Sequence, residues 1–246
     1  FSCAMLWTED GQQWGQRLAT YRTVFAAFAD RKAKGDPVKA QRLVDLDMWY
    51  QETLPETLQA RHAADRARGA YLNHEELRKV MEWKLARGKF RPSLQAFVNG
   101  LAPKAVQACT AAALCQSNNP KAAIEELSKL KGIGPATATA VLAAFAPSVY
   151  GFAADESMKG VPGLGPLQYT PKYILQYVQR LQEKAKELSK GAEGSSWTPH
   201  TVELALWADH FNAPAAPAQG RIVHKSKRQG SPSDILGQPA AKKSKS

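Results

Sequence analysis

The string Leu130-Lys-Gly-Ile-Gly-Pro-Ala-Thr-Ala138 combines residue types suited to holding a phosphate. Gly132 and Gly134 permit a tight turn with positive φ, and Pro135 is a favoured first residue of a helix. At the mouth of such a helix, here Ala136 and Thr137, backbone N–H groups have no intrahelical partner and the dipole adds positive potential. A phosphate oxygen fits there without any base being read. In this reading the glycines keep side chains clear, Ile133 plugs the hairpin into the core, and Lys131 and the Thr137 hydroxyl add a charge and a donor. A second segment, Trp83 to Pro92, sets Lys84, Arg87, Lys89 and Arg91 around two aromatic rings and a glycine turn. That mixture suits a surface that neutralises phosphates while a ring rests on a base or sugar. It equally suits a solvated helix end whose cations complement the dipole.

The elements that must position these residues are helical. Asn119 caps a helix with Pro120 at its first position and a stripe of Ile124, Leu127 and Leu130. After a three-residue hairpin, Ala136 to Ala144 has the small side chains that let two helices approach closely. Elsewhere the chain is rich in Ala, Leu, Gln, Glu and Lys and lacks a long alternating β-branched run, so the fold class is all-α. Asp10 to Asp30 carries Trp14, Leu18, Tyr21, Phe25 and Phe28 at helical spacing. Asp36-Pro37 opens a helix whose apolar side is Leu43, Leu46, Trp49 and Tyr50, and Asn73 with Glu76 forms a capping box for a helix through Trp83 to about Ala86. Tyr173, Tyr177, Leu181 and Leu188 mark a long helix, and Thr198-Pro199 starts one carrying Val202, Leu204, Leu206 and Trp207. Pro162-Gly-Leu-Gly-Pro166 echoes the first hairpin, but without an adequate helix before it the string reads as a turn. Cys109 and Cys115 are expected as reduced thiols packed in an alanine-rich helix. Neither the cysteines nor the scattered histidines have metal-site spacing.

The hairpin string resembles the helix-hairpin-helix signature, and its longer context resembles the helix-hairpin-helix DNA glycosylase superfamily. In that superfamily an aspartate needed for cleaving the N-glycosidic bond follows a little over twenty residues later. Asp155 lies 23 positions after Gly132, at the end of the apolar run from Ser148. The resemblance implies that the Asp155 carboxylate stabilises positive charge on the deoxyribose and orients a water, once the base has been flipped out of the duplex. A plainer role is to cap the following helix. Ala136 stands where bifunctional members carry a sugar-attacking lysine, which excludes a Schiff-base step from that position. The half of the chain beyond Cys115 has no cysteine for an iron-sulfur cluster, so the resemblance implies a monofunctional, cofactor-free enzyme if the chain is an enzyme.

The formal net charge is +11, and residues 221–246 contribute seven Lys or Arg against Asp234. A polyanion partner fits this balance, with double-stranded DNA the expected one. The sequence divides into a helical domain over 1–212 and a basic tail over 213–246 that lacks the apolar residues to offset ordering entropy. Lys225 to Arg228 and Lys242 to Lys245 resemble nuclear import signals. No stretch has the length of a membrane span and no secretory leader is visible. The expectation is a nuclear DNA-binding protein, either an active glycosylase using Asp155 or a non-catalytic subunit of a chromatin or repair complex.

Overall fold

Nothing in the run Ala136 to Ala144 is larger than leucine, and every one of these residues is buried. They belong to α9 (Pro135–Phe145), apolar on all sides and therefore a central helix. The computed structural model describes residues 6–89, 91–190 and 196–212, and every regular element among them is helical. In chain order these are α1 (Gly11–Ala19), α2 (Tyr21–Ala33), α3 (Pro37–Met48), α4 (Leu54–Ala64), α5 (His74–Arg87), α6 (Pro92–Asn99), α7 (Pro103–Cys115), α8 (Pro120–Leu127), α9, α10 (Asp155–Lys159), α11 (Pro171–Lys190) and α12 (Pro199–Asn212). Helices α4, α5, α8 and α11 pack around α9, whose small side chains allow the close approach. The expected tail, its import signals and the link at 191–195 lie outside the described residues.

Local chemistry sets most helix boundaries. Asp36 accepts from the N–H groups of Val38 and Lys39 at the start of α3, and Asn119 accepts from Ala122 at the start of α8. At α5 both halves of the capping box form, with the Asn73 side chain accepting from the Glu76 N–H and the Glu76 carboxylate accepting from the Asn73 N–H. Asn73→Ala should therefore cost about 1 kcal/mol of stability, read from chemical denaturation. The periodic stretch from Asp10 to Asp30 is two helices rather than one. Thr20 breaks it by capping α1, its hydroxyl donating to the Arg17 carbonyl. Helix α3 runs through a single π turn (Trp49–Thr53) into α4. Tyr50 in that turn stacks on Trp83 at 3.4 Å and donates to the Ala140 carbonyl of α9 at 2.7 Å.

A polar cluster lies under α5. Arg87 is 1% exposed and pairs with Glu203 of α12, itself 0% exposed, at 3.0 Å. The guanidinium also faces the rings of Tyr21, Trp83, Phe152 and Trp207. Asp47 of α3 accepts from the Trp83 indole at 2.8 Å and the Tyr21 hydroxyl at 2.9 Å. Ser157 of α10 donates to Glu203 at 2.7 Å, so Glu203 joins the C-terminal end of α5 to α10. Gly151 leaves no room for a side chain, because a Cβ there would lie 2.6 Å from both Leu181 Cδ1 and the Pro199 carbonyl oxygen. This approach draws the run before Asp155 against α11 and α12.

His200 supplies a pH-dependent part of the stability. Its Nε2 is 2.8 Å from Gln51 Oε1, and since the Gln51 amide nitrogen donates to Tyr21, the carbonyl oxygen accepts from His200. Its Nδ1 is buried with no partner among the described residues, so protonation would strand a charge. Burial, with the Arg87 charge adding to it, pushes the imidazole down to about 4. The unfolded chain binds this proton from about 6.5 downward while the folded protein refuses it. The contribution is thus fully present above about 6.5 and is lost as pH falls toward 4, by up to about 3 kcal/mol. Urea melts at pH 7 and 4.5 should show the loss, and His200→Gln should flatten the difference.

Candidate nucleic-acid interface and cavity

Helix α8 ends at Leu127, where Ser128 turns its hydroxyl back onto the Ile124 carbonyl at 2.7 Å. The connection to α9 is therefore longer than the expected three residues. It is wound as tight turns in which the N–H groups of Leu130 and Ile133 donate to the carbonyls of Leu127 and Leu130. The two glycines do different work. Gly132 has φ +92 and a Cβ there would lie 2.9 Å from the Phe97 Cβ, so both conformation and space exclude a side chain. Gly134, expected to share the positive φ, is extended at φ −98 and ψ 176 as the N-cap of α9, and a Cβ would meet nothing within 4 Å. Ile133 is buried, as its plug role requires.

No side chain caps α9, so its first N–H groups open toward whatever lies at its mouth. A cavity of about 180 Å³ lies there, lined by the hairpin, the C-terminal end of α5 with the loop after it, the run from Phe152 to Glu156, and Tyr169. Of the residues singled out in the sequence, Lys84, Arg87, Lys89, Arg91, Gly132, Gly134, Ala136, Thr137 and Asp155 all reach its wall. Lys131 and Ile133 do not. Lys131 is exposed on the outer side of the hairpin with its ammonium 4.6 Å from the centre of the Phe97 ring, which is 40% exposed.

Several expected contacts need correcting. Arg87 is no surface cation, because its guanidinium is committed to Glu203 in the core. Trp83 is 1% exposed in its stack on Tyr50, so it offers no ring to a base, and Phe90, the other expected ring, lies outside the described residues. Thr137 as a whole is 3% exposed, so its hydroxyl is not a surface donor. Cys109 is half-buried and donates to the Glu126 carbonyl at 3.1 Å, whereas Cys115, expected to be packed, is exposed at the end of α7.

Asp155 is not the cap of α10. Ala154 takes the N-cap position, Asp155 is the first helical residue, and no side-chain cap bond forms. Its Oδ1 accepts from the Tyr169 hydroxyl at 2.7 Å and its Oδ2 lies 3.9 Å from the Lys89 ammonium. Burial, together with the bond to Asp155, raises the Tyr169 phenol, which keeps it a donor. The Ala153 N–H donates to the Thr139 hydroxyl of α9 at 2.9 Å, which fixes the backbone leading to Asp155 against the second hairpin helix. Tyr169 escaped the sequence reading because it sits in an irregular loop with no periodic signal. Glu203 had one, an acid in the apolar string Val202-Glu-Leu-Ala-Leu-Trp207. Among the described residues no group of three or more His, Cys, Asp or Glu is arranged to hold a metal ion.

The helix-hairpin-helix motif matches residues 120–144, the segment from the start of α8 to the penultimate residue of α9. The match supports nucleic-acid binding by this chain. Comparison with curated proteins and with solved structures gives no significant match.

Proposed function

We propose that the chain is a nuclear DNA-binding protein that grips duplex DNA through the hairpin and releases a base from a nucleotide extruded into the cavity, with Asp155 as the charged group. The observation that carries the reading is the Asp155 carboxylate on the wall of a cavity that opens at the mouth of α9. A phosphate held by the first N–H groups of α9 sets an adjacent sugar beside a carboxylate that can stabilise positive charge as the base departs. Lys89 and Arg91, both exposed on the rim, add the cations that a flanking backbone needs. Tyr169, 38% exposed, offers an aromatic face at the same rim. The basic clusters of residues 225–228 and 242–245 support import into the nucleus, and fusing 221–246 to a cytoplasmic reporter checks that assignment.

Gly134 separates binding from folding, since a side chain there is accommodated by the fold but covers the mouth of α9. Gly134→Val is expected to fold, with a loss of about 1 kcal/mol for a poorer N-cap residue, a few degrees of melting temperature. Its duplex affinity should fall about ten- to hundredfold, the loss of one or two charge-assisted hydrogen bonds. Wild-type affinity should drop steeply with salt and vary little among unrelated duplexes, because the contacts are to phosphates. Unchanged affinity of the folded variant would remove the hairpin as the gripping element. Single-turnover base release on a panel of damaged duplexes tests the chemistry. Tight binding with no release on any substrate would leave a non-catalytic subunit of a chromatin or repair complex.

A further inference from the structure

The loop from α4 to α5 carries arginines that neither the core nor the cavity uses. Arg61, near the end of α4, is anchored, since its guanidinium donates to both carboxylate oxygens of Glu76 at 2.7 Å and to the Tyr71 carbonyl at 2.8 Å. Asp65 then shapes a tight turn. Its Oδ1 accepts from the N–H groups of Ala67 and Arg68 at 3.1 and 3.0 Å, its carbonyl accepts from Gly69 at 2.8 Å, and Gly69 closes the turn at φ +73. Arg66 and Arg68 stand on this turn and are exposed. The Arg68 guanidinium lies 4.7 Å from the centre of the Tyr71 ring and that of Arg61 lies 4.8 Å from it. Neither Arg66 nor Arg68 has a side-chain hydrogen bond or an ion pair among the described residues. The single acid of the turn, Asp65, is committed to the backbone.

The place of this turn in the fold matters as much as its charge. The chain approaching it runs alongside α9 in the same direction, with Tyr50 donating to the Ala140 carbonyl, Gln59 donating to the Phe145 carbonyl, and the His62 ring edge-on to Phe145. Residues 65–69 therefore follow on at the last residue of α9, whereas the hairpin stands at its first. The N–H groups at the mouth of a helix point along its axis, so a phosphate held there lies in line with α9. The turn is at the other end, about 16 Å of helix away, and faces away from a duplex gripped by the hairpin.

We propose that this turn is a second contact for the DNA backbone, in which Arg66 and Arg68 each neutralise a phosphate, so that one molecule joins two duplex segments. The inference rests on the hairpin grip proposed above and not on base release. Two residues of chain span at most about 7 Å, the scale of the step between successive phosphates on a strand. Guanidinium groups pair with phosphate oxygens in a planar fork, and a turn already fixed by Asp65 and Gly69 lowers the ordering cost of that pairing. The same features argue for DNA over an acidic protein segment. Protein interfaces centre on large apolar or aromatic anchors, yet Val38, Met48, Phe97 and Tyr169, the exposed large hydrophobic residues among the described ones, all lie outside this loop. Contact with phosphates needs no such anchor.

A capture assay with the full chain tests this. One duplex is immobilised, saturated with the protein and washed, and a fluorescent duplex of unrelated sequence is then offered. Wild-type protein should capture the second duplex. Arg66→Ala with Arg68→Ala should hold the first duplex within about threefold of wild type, while capture of the second falls at least about tenfold and its log–log salt slope flattens by about 1.8, or about 0.9 for each lost phosphate contact. Exposed substitutions seldom disturb folding. Should the double variant nevertheless fail to fold, Arg66→Ala alone leaves the Tyr71 stack intact and should give half the change in slope. Wild-type protein that holds only one duplex overturns the proposal and leaves the hairpin grip standing. So does a double variant that captures the second duplex as well as wild type, as it would if two copies or the basic tail made the bridge. A folded double variant that loses the first duplex also overturns it, because the turn would then lie on the same duplex. Capture of a fluorescent poly-glutamate peptide in place of the second duplex would assign the surface to an acidic protein segment instead. Failure to bind any duplex overturns both readings, and Gly134→Val reports the hairpin contact separately through the first duplex.

Discussion

Glu203→Ala is expected to cost about 3–5 kcal/mol of stability, because it leaves the Arg87 guanidinium buried without its counter-ion. Among the described residues the Nε of Arg87 has no partner, and Asp47, the other buried carboxylate that acts on its charge, is already committed to the Trp83 indole and the Tyr21 hydroxyl. Urea denaturation of the variant beside wild type reads the effect directly. A double variant, Arg87→Met with Glu203→Leu, should recover most of it, since well-packed apolar side chains commonly replace a buried ion pair at little cost. A loss below about 1 kcal/mol in the single variant would mean that the pair does not hold α5 and α12 together. The change also reaches the cavity. Glu203 accepts from Ser157, two residues beyond Asp155, so the variant should disturb the geometry of α10 before it unfolds the whole domain.

What the sequence revealed follows from how local each cause is. The caps at Asp36, Asn73 and Asn119 are decided by a side chain and the N–H groups two or three residues on, and each formed as its residues suggest. The turn at Gly132 is equally local, as is the buried character of α9, which needs only a run of small apolar residues. The facing of the segment from Trp83 to Pro92 is different. Lys84 and Arg87 are neighbours in a basic string, but one lines a cavity and the other lies in the core. That choice is made by Glu203, which is 116 residues away in sequence. No composition within the string distinguishes the two. Tyr169 was invisible for the same reason, since its value lies in a carboxylate that the turn at 162–166 and the start of α10 bring within 2.7 Å. Gly134 was over-read because glycine at an N-cap looks the same whether its φ is positive or extended.

The sharpest expectation concerns Asp155. Asp155→Asn preserves shape, and the amide oxygen can still accept from Tyr169, but the charge that would stabilise an oxocarbenium-like sugar is gone. Base release under single-turnover conditions should fall by two or more orders of magnitude, each tenfold loss corresponding to about 1.4 kcal/mol of barrier. Duplex affinity should hold or rise slightly, because one negative charge leaves the interface. A purely structural role predicts another pattern. Since Ala154 rather than Asp155 is the N-cap of α10, Asp155→Ala removes no cap bond. Its stability should then fall only by the loss of the part-exposed bond from the Tyr169 hydroxyl, about 1 kcal/mol or less, and a purely structural role leaves base release unchanged. Tyr169→Phe supplies the intermediate case. It removes one hydrogen bond to a carboxylate that keeps its charge, so base release should fall by about tenfold, the scale of one such bond. The ordering of the three rates, wild type above Tyr169→Phe above Asp155→Asn, is what a charge-stabilising aspartate held by a tyrosine requires. Undiminished release by folded Asp155→Asn would sink the catalytic assignment whatever the other variants do.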